Sequence, residues 1–442
     1  MPNNVKIFSR ISVLFRYINA RTIRHIFSNI MKGRFSYVYR LMSKTVLNRQ
    51  HAIHKKGMMI FLDDKSIECF AERNHENIMV LDHALGGGSN QYREKIVKKF
   101  IEEGKVVFLI IWDIYNSFYS FTYFFGEYKV EYKLRDIFDI ENVFRLAGVK
   151  ELIINEFVSL NNPYRILKFI QDLKVKYKFK VQIPIHDYFV VCPSYTLLNN
   201  FGKYCFVPRD YSICNKCLKK HGGEFKIFNT YYENITEWRK RFAKFLSVVD
   251  EIICFSQSSK NILLKAYPRI EGKIAVIPHV VDYLPSLKSG PARDNDVINI
   301  GFIGAINYEK GLVIIKDMLK LIRKKKYKNI KIVIIGTTSE AISDKNLIIT
   351  GVYDRQKLPD LANKYKINLF LISSICPETF SFTTEEVIKM NVPVAVFNIG
   401  AQAERVKKYK KGLVISEIDA KTALLEVIKF YNDFKSAKKN LS

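Results

Sequence analysis

Gly301-Phe302-Ile303-Gly304-Ala305-Ile306-Asn307-Tyr308-Glu309-Lys310-Gly311 reads as a strand that ends in a loop and runs into a helix. The strand is the apolar run Ile298–Ile303, and the helix spans Gly311–Lys324. A lysine at the head of a helix is an unfavourable place for a cation unless an anion is bound there. A diphosphate would satisfy it; a lysine reaching into solvent is the plain alternative.

The same strand–loop–helix unit repeats outward in both directions. Downstream, strands are expected at Ile330–Ile335, Asn346–Ile349, Ile367–Ile372, Val392–Phe397 and Leu413–Ile415, with helices at Lys357–Tyr365, Thr383–Met390, Ala401–Tyr409 and Ala420–Phe434. Upstream, strands are expected at Ile78–Asp82, Val106–Trp112, Glu151–Ile154, Val181–Ile185, Glu251–Phe255 and Lys273–Pro278. Helices between them fall at Gln91–Glu103, Tyr164–Tyr177, Thr236–Phe245 and Ser258–Tyr267, and the aromatic-rich stretch after Trp112 reads as a loop or helix. The polar stretch Pro285–Asp296 reads as a linker. Repeated βα units predict an α/β protein of two Rossmann-like, doubly wound domains facing a central cleft. The expected boundaries are 76–284 for the first domain and 285–436 for the second, whose terminal helix is placed to pack back toward the first. A basic helical extension over 1–75 precedes them.

The chain has 442 residues, 48% of them hydrophobic, which excludes a disordered chain and suits two cores. Its 71 Lys and Arg against 43 Asp and Glu give a net charge of +28, which favours polyanionic partners. The charge is concentrated: between Met1 and Leu62 there are 12 Lys or Arg and no acid. Interleaved apolar residues there suit helices lying on an anionic membrane surface; a packed arm with a solvated basic face and nucleic-acid binding are the other readings. No run reaches the roughly 18 apolar residues of a membrane span, and the amino terminus lacks a secretory core. A cytoplasmic protein, peripheral on the inner membrane face, is expected. Cys192, Cys205, Cys214 and Cys217 could hold zinc, lie buried as thiols or do redox work, and the residues leave this open.

Three further motifs carry chemistry. Gly86-Gly87-Gly88 follows the first strand and allows a ligand to approach the backbone at a helix start, although Gln91 departs from the dinucleotide fingerprint. His186-Asp187 ends a strand; the histidine can contact a sugar hydroxyl or move a proton, with the carboxylate fixing its tautomer, or it is merely structural. The segment Ser374–Glu386 follows the strand Ile367–Ile372, and seven residues separate Glu378 from Glu386. Each carboxylate can accept from the paired hydroxyls of a sugar or ribose, and backbone N–H groups around Thr379, Phe380 and Ser381 can bind phosphate. Thr383–Glu386 also fits a helix capping box, which would explain Glu386 but not Glu378.

Together these residues resemble a retaining glycosyltransferase of family 4, of the GT-B architecture and the group 1 class. The resemblance covers about residues 76–436 and is strongest in Pro377–Phe382 through Glu386, then Pro393–Val396 and Gly400, with support from Lys273–Asp282, Gly304 and Lys310-Gly311. It implies that Lys310 neutralises a donor diphosphate, Glu378 holds donor-sugar hydroxyls and Glu386 holds ribose hydroxyls. It also implies a catalytic His186 beside the donor sugar, Gly86, Gly87, Gly88 and Gly304 against the donor, and Tyr353 near the base. The family often has an arginine after the glycine matching Gly304; Ala305 stands here, which shifts phosphate recognition toward Lys310 and backbone amides. The expected activity is sugar transfer from a nucleotide diphosphosugar to a glycan or lipid-linked acceptor in surface polysaccharide or lipopolysaccharide synthesis. It would need no metal or other cofactor, would have an anionic membrane as partner, and would not bind nucleic acid. The alternatives are a non-catalytic basic membrane- or nucleic-acid-binding protein on the same scaffold, a sugar phosphorylase, or a nucleotide-sugar hydrolase.

Overall fold

A computed structural model describes residues 60–439 apart from 71–74, 115, 161, 222–229 and 288–296. The basic extension up to residue 59 and most of the expected linker lie outside the described residues. Residues 59–338 and 342–442 cluster as a single compact unit, and both lobes below belong to it.

The first lobe is built on β1 (Asn77–His83), β2 (Val106–Asp113), β3 (Phe118–Phe125), β4 (Tyr128–Leu134), β5 (Glu151–Ile154), β6 (Lys180–Pro184), β7 (Glu251–Cys254) and β8 (Ile274–Val276). They form one sheet in the order β4-β3-β2-β1-β5-β6-β7-β8. The second lobe has β9 (Ile298–Ile306), β10 (Ile330–Thr338), β11 (Leu347–Ile349), β12 (Leu369–Ile372), β13 (Val394–Phe397) and β14 (Gly412–Ile415), in the order β11-β10-β9-β12-β13-β14. All pairings in the second sheet are parallel. Helices cover both faces, so the central strands are apolar throughout rather than alternating. In β1, Ile78 and Val80 face a cluster with Val97, Leu109 and Ile153, while Met79 and Leu81 face the opposite core.

The stretch after Trp112 corrects the sequence reading. It is neither a loop nor a helix but the antiparallel strand β3, paired with β2 on one side and β4 on the other. Gly126 and Glu127 make the two-residue turn between β3 and β4, with Gly126 at φ +54°. Aromatic residues on both faces of β3 hide its period of two. Residues 60–70 belong with this lobe: in the helix Asp64–Phe70, Ile67 and Phe70 are buried, Phe70 stacks on Tyr123 at 4.3 Å, and Asp64 meets Arg145 at 2.7 Å. The terminal helix Ala420–Lys439 packs on the helix Leu312–Lys324 and on β14 of its own lobe, and its Tyr431 hydroxyl accepts from Asn368 at 3.0 Å.

Strand order reverses once in each sheet. The chain leaves β1 toward β2 and later returns to its other side as β5; it leaves β9 toward β10 and returns as β12. Such reversals open a crevice at the carboxyl ends of the strands. The loops at the two crevices meet across the lobes. The Thr379 hydroxyl donates to the His186 carbonyl at 2.9 Å, and Arg355 donates to the Gln91 side-chain oxygen at 2.9 Å. The Glu404 carboxylate accepts from the Ser258 and Gln257 N–H groups at 2.6 and 3.3 Å, at the start of the helix Gln257–Ala266.

Asp82 ends β1 and pairs with Arg93 at 2.9 Å, both buried, which ties the strand to the helix Gly88–Glu102 around the glycine loop. Asp82→Ala leaves a buried guanidinium without its carboxylate and should cost about 3–5 kcal/mol; adding Arg93→Met should recover much of it. Both tryptophans, Trp112 and Trp238, lie in the first lobe, so denaturant titration followed by their fluorescence measures this lobe directly.

Candidate active site

Lys310 and Glu378 meet at the crevice between β9 and β12 as an ion pair. The Lys310 side chain is 44% exposed and that of Glu378 only 9%. Local geometry fixes both. The Lys310 N–H donates to the Asn307 side chain at 3.0 Å, and the Ser373 hydroxyl donates to the Lys310 carbonyl at 2.7 Å. Gly311 adopts φ +82°, and a Cβ there would fall on the Ser373 carbonyl oxygen. The Glu378 N–H donates to the buried Gln402 side chain at 3.1 Å, whose amide in turn donates to the Cys376 carbonyl at 3.0 Å. The Glu378 carboxylate also accepts from Ser374. Burial opposes both charges, but each is outweighed by its partner: the ammonium holds Glu378 below the usual carboxylate range, and the carboxylate holds Lys310 above its own.

Glu386 is 1% exposed on the helix Phe382–Lys389. It forms no capping box: the helix is preceded by Ser381 without a side-chain cap, and Glu386 Oε1 accepts from the Tyr283 hydroxyl. Its Oε2 is buried with no hydrogen-bond partner. Burial raises its pKa, against the opposing pull of Tyr283 and Arg355. The Arg355 guanidinium lies 5.7 Å over the Tyr283 ring, and Tyr353 is close enough for the Glu386 charge to help raise its hydroxyl pKa.

In the first lobe, Gly86 and Gly87 have φ +84° and +94°, values that favour glycine, and a Cβ on Gly88 would stand 3.0 Å from the Phe382 ring of the other lobe. His186 is held neutral by burial and by nearby His279 and His83. Its tautomer is not set by Asp187, as the sequence suggested, but by Asn155. The Asn155 amide donates to the Ser89 carbonyl at 3.0 Å, so its oxygen faces His186 Nε2 at 3.0 Å and receives that proton. Asp187 instead accepts from the Phe189 N–H at 2.8 Å and hydrogen-bonds Glu156, and burial pushes Asp187 up to about 6. His279 bridges the lobes in an aromatic stack, 3.7 Å from Phe255 and 5.0 Å from Phe382, with Phe380 edge-on at 4.9 Å.

The structure therefore brings Gly86–Gly88, His186, Lys310, Glu378, Thr379, Phe380, Ser381 and Glu386 to the facing edges of the two lobes. Gly304 lies within β9, near its carboxyl end, paired with Gly336. Sequence reasoning missed Asn155, Tyr283, Arg355 and Gln402, and gave no role to His279 although it lies within the quoted stretch Lys273–Asp282. Among the described residues, no group of three or more His, Cys, Asp or Glu is arranged to hold a metal ion, and no helix is long and apolar enough to cross a membrane.

The fold resembles known two-lobe structures. Anabaena HepE in complex with UDP matches with a TM-score of 0.53 at 12% identity, covering 81% of this chain and 90% of that one. Sucrose-phosphate synthase from Thermosynechococcus elongatus matches at 0.52 and 12% over the same shares, 81% and 90%. A glycosyltransferase from Rickettsia africae matches at 0.52 and 15%, over 81% and 89%. These likenesses establish the GT-B fold. No curated protein sequence matches the chain. Residues 287–440 match the family described as glycosyl transferases group 1. The match covers the second lobe, which is thereby similar to a group 1 glycosyltransferase domain.

Burial, and secondarily Lys95, lowers His279 from its usual 6.5 to about 4. As pH falls below 6.5 the unfolded chain gains a proton that the folded chain resists, so this contribution to stability is full above 6.5 and lost toward 4. Between pH 7 and pH 5 the wild type should lose more melting temperature than His279→Phe, as measured by scanning fluorimetry.

Proposed function

We propose that the protein is a retaining glycosyltransferase that moves a sugar from a nucleotide diphosphosugar to a glycan or lipid-linked hydroxyl in surface glycan synthesis, working at the cytoplasmic membrane face. The observation that carries this reading is the Lys310–Glu378 pair at the crevice of the second sheet, facing the His186 carbonyl through Thr379. HepE, whose structures hold UDP and UDP-glucose, supports the donor class.

In this reading the donor lies along the second lobe. Lys310 and the N–H groups of Thr379–Ser381 meet the diphosphate, and Glu378 accepts from sugar hydroxyls. Glu386 offers Oε2 to a ribose hydroxyl while Tyr283 occupies Oε1. The bond from the anomeric carbon to the diphosphate oxygen breaks, the acceptor oxygen bonds to the same face, and the acceptor proton passes to the departing phosphate oxygen. Charge develops on the diphosphate, so Lys310 acts where stabilisation counts most. Neutral His186, its Nε2 engaged by Asn155, positions the sugar rather than removing a proton. A non-catalytic scaffold would leave the buried Glu386 oxygen and the Lys310–Glu378 pair without a task.

Among nucleotide diphosphosugars, at least one should raise the melting temperature, as a binder of the folded state at about 100 times its Kd adds about 2.7 kcal/mol. With that donor, Lys310→Ala and Glu378→Ala should each lower turnover by about 10²-fold or more. Near-normal rates would overturn the assignment, and NMR of the product's anomeric centre tests retention.

A further inference from the structure

After β6 the chain makes an excursion over residues 185–221 from the carboxyl edge of the first sheet, the edge that carries the glycine loop. The excursion encloses a cavity of about 370 Å³. Its walls include the Leu198 and Leu218 side chains and four thiols, Cys192, Cys205, Cys214 and Cys217. The four cysteines are free, and with the two leucines they line the space as small side chains. Such a volume and lining match a small-ligand pocket that has a few placed polar groups.

The placed polar group is Arg239. It is 4% exposed yet lines the cavity. Its Nε donates to the Val191 carbonyl at 3.2 Å and its Nη1 to that of Pro208 at 3.4 Å, and the guanidinium lies 5.0 Å over the Tyr211 ring. Among the described residues no carboxylate pairs with it. Buried with two carbonyls, the Cys214 thiol and the Tyr211 ring, this permanently charged group has no counter-ion among the described residues. The mouth of the cavity is both apolar and cationic. Phe201 and Ile213 line it at 74% and 53% exposure, beside the exposed Lys216 and Lys220. From Asn199 to Lys220 there are five Lys or Arg and the single acid Asp210. The Gly202 carbonyl accepts from the Tyr308 hydroxyl at 3.3 Å, which sets this rim against the second lobe two residues before Lys310.

We propose that this cavity is a lipid-phosphate subsite: leucine and thiol walls take the start of a hydrocarbon chain, and Arg239 with the rim lysines takes its phosphate. Hydrocarbon without charge leaves Arg239 unpaired, and phosphate without hydrocarbon leaves the walls empty, so the occupant is an alkyl or prenyl phosphate. As the place of a lipid-linked acceptor, the subsite rests on the transferase reading above; as a binding site, it stands without it.

Isothermal titration of the full chain with geranyl phosphate, geraniol and inorganic phosphate tests the proposal. Geranyl phosphate should saturate one site, with geraniol and inorganic phosphate each at least tenfold weaker. Cys217→Phe, which fills the cavity from its half-buried side, should weaken geranyl phosphate at least tenfold. Lys216→Glu/Lys220→Glu, at exposed positions that tolerate change, should weaken geranyl phosphate while leaving geraniol unaltered; this variant decides the matter if Cys217→Phe does not fold. Absence of saturable binding, equal binding of alcohol and phosphate, or indifference to both variants would overturn the subsite. A parallel melting-temperature screen of the wild type with nucleotide sugars separates the two ideas. A donor response without geranyl phosphate binding sinks only the subsite, and the reverse sinks only the transferase reading.

Discussion

Between β9 and β12 the chain departs in opposite directions, and the gap this leaves at the carboxyl edge of the sheet is where Lys310 and Glu378 meet. A carboxylate as covered as Glu378 needs either a cation or several donors to stay ionised. It has both: the Lys310 ammonium, the Ser374 hydroxyl, and a backbone pinned by Gln402 and Ala401. Gln402 is itself fully buried and holds the Cys376 carbonyl. The pair is thus the end point of a polar network that begins behind the loop, and the loop has little freedom to place Glu378 elsewhere.

The opposite edge is organised around neutrality. His186 and His279 are both kept uncharged by burial, and an amide rather than an acid orients His186. An imidazole without a proton to spare, stacked on Phe255 and packed against Tyr92, is a shape and a hydrogen-bonding surface more than an acid. The ion pair that lies at the crevice itself, Lys310 with Glu378, belongs to the second lobe.

The βα alternation was legible because parallel strands buried on both faces stand out as short apolar runs. Most expected strands lie within one or two residues of the observed ones. The hairpin of β3 and β4 was not assigned from the sequence: Tyr128–Leu134 alternates but was given no element, and β3 carries aromatics on both faces. Lys310 and Glu378 stood out because each sits in a loop after a strand, where spacing has chemical meaning; Glu386 lies further on, in the second turn of the helix Phe382–Lys389 rather than the first. Asn155, Tyr283 and Arg355 did not stand out. Their partners lie far off in the chain, so only the packing of the elements, and of one lobe on the other, reveals them.

Glu404 belongs to the second lobe yet completes the first turn of a helix in the first. The partial positive end of that helix is thereby held by a carboxylate from the other lobe. Such a tether is electrostatic and close to solvent, so dissolved ions compete with it. Raising ionic strength should therefore weaken this one contact between the lobes while leaving both cores, and the ring stack around His279, untouched.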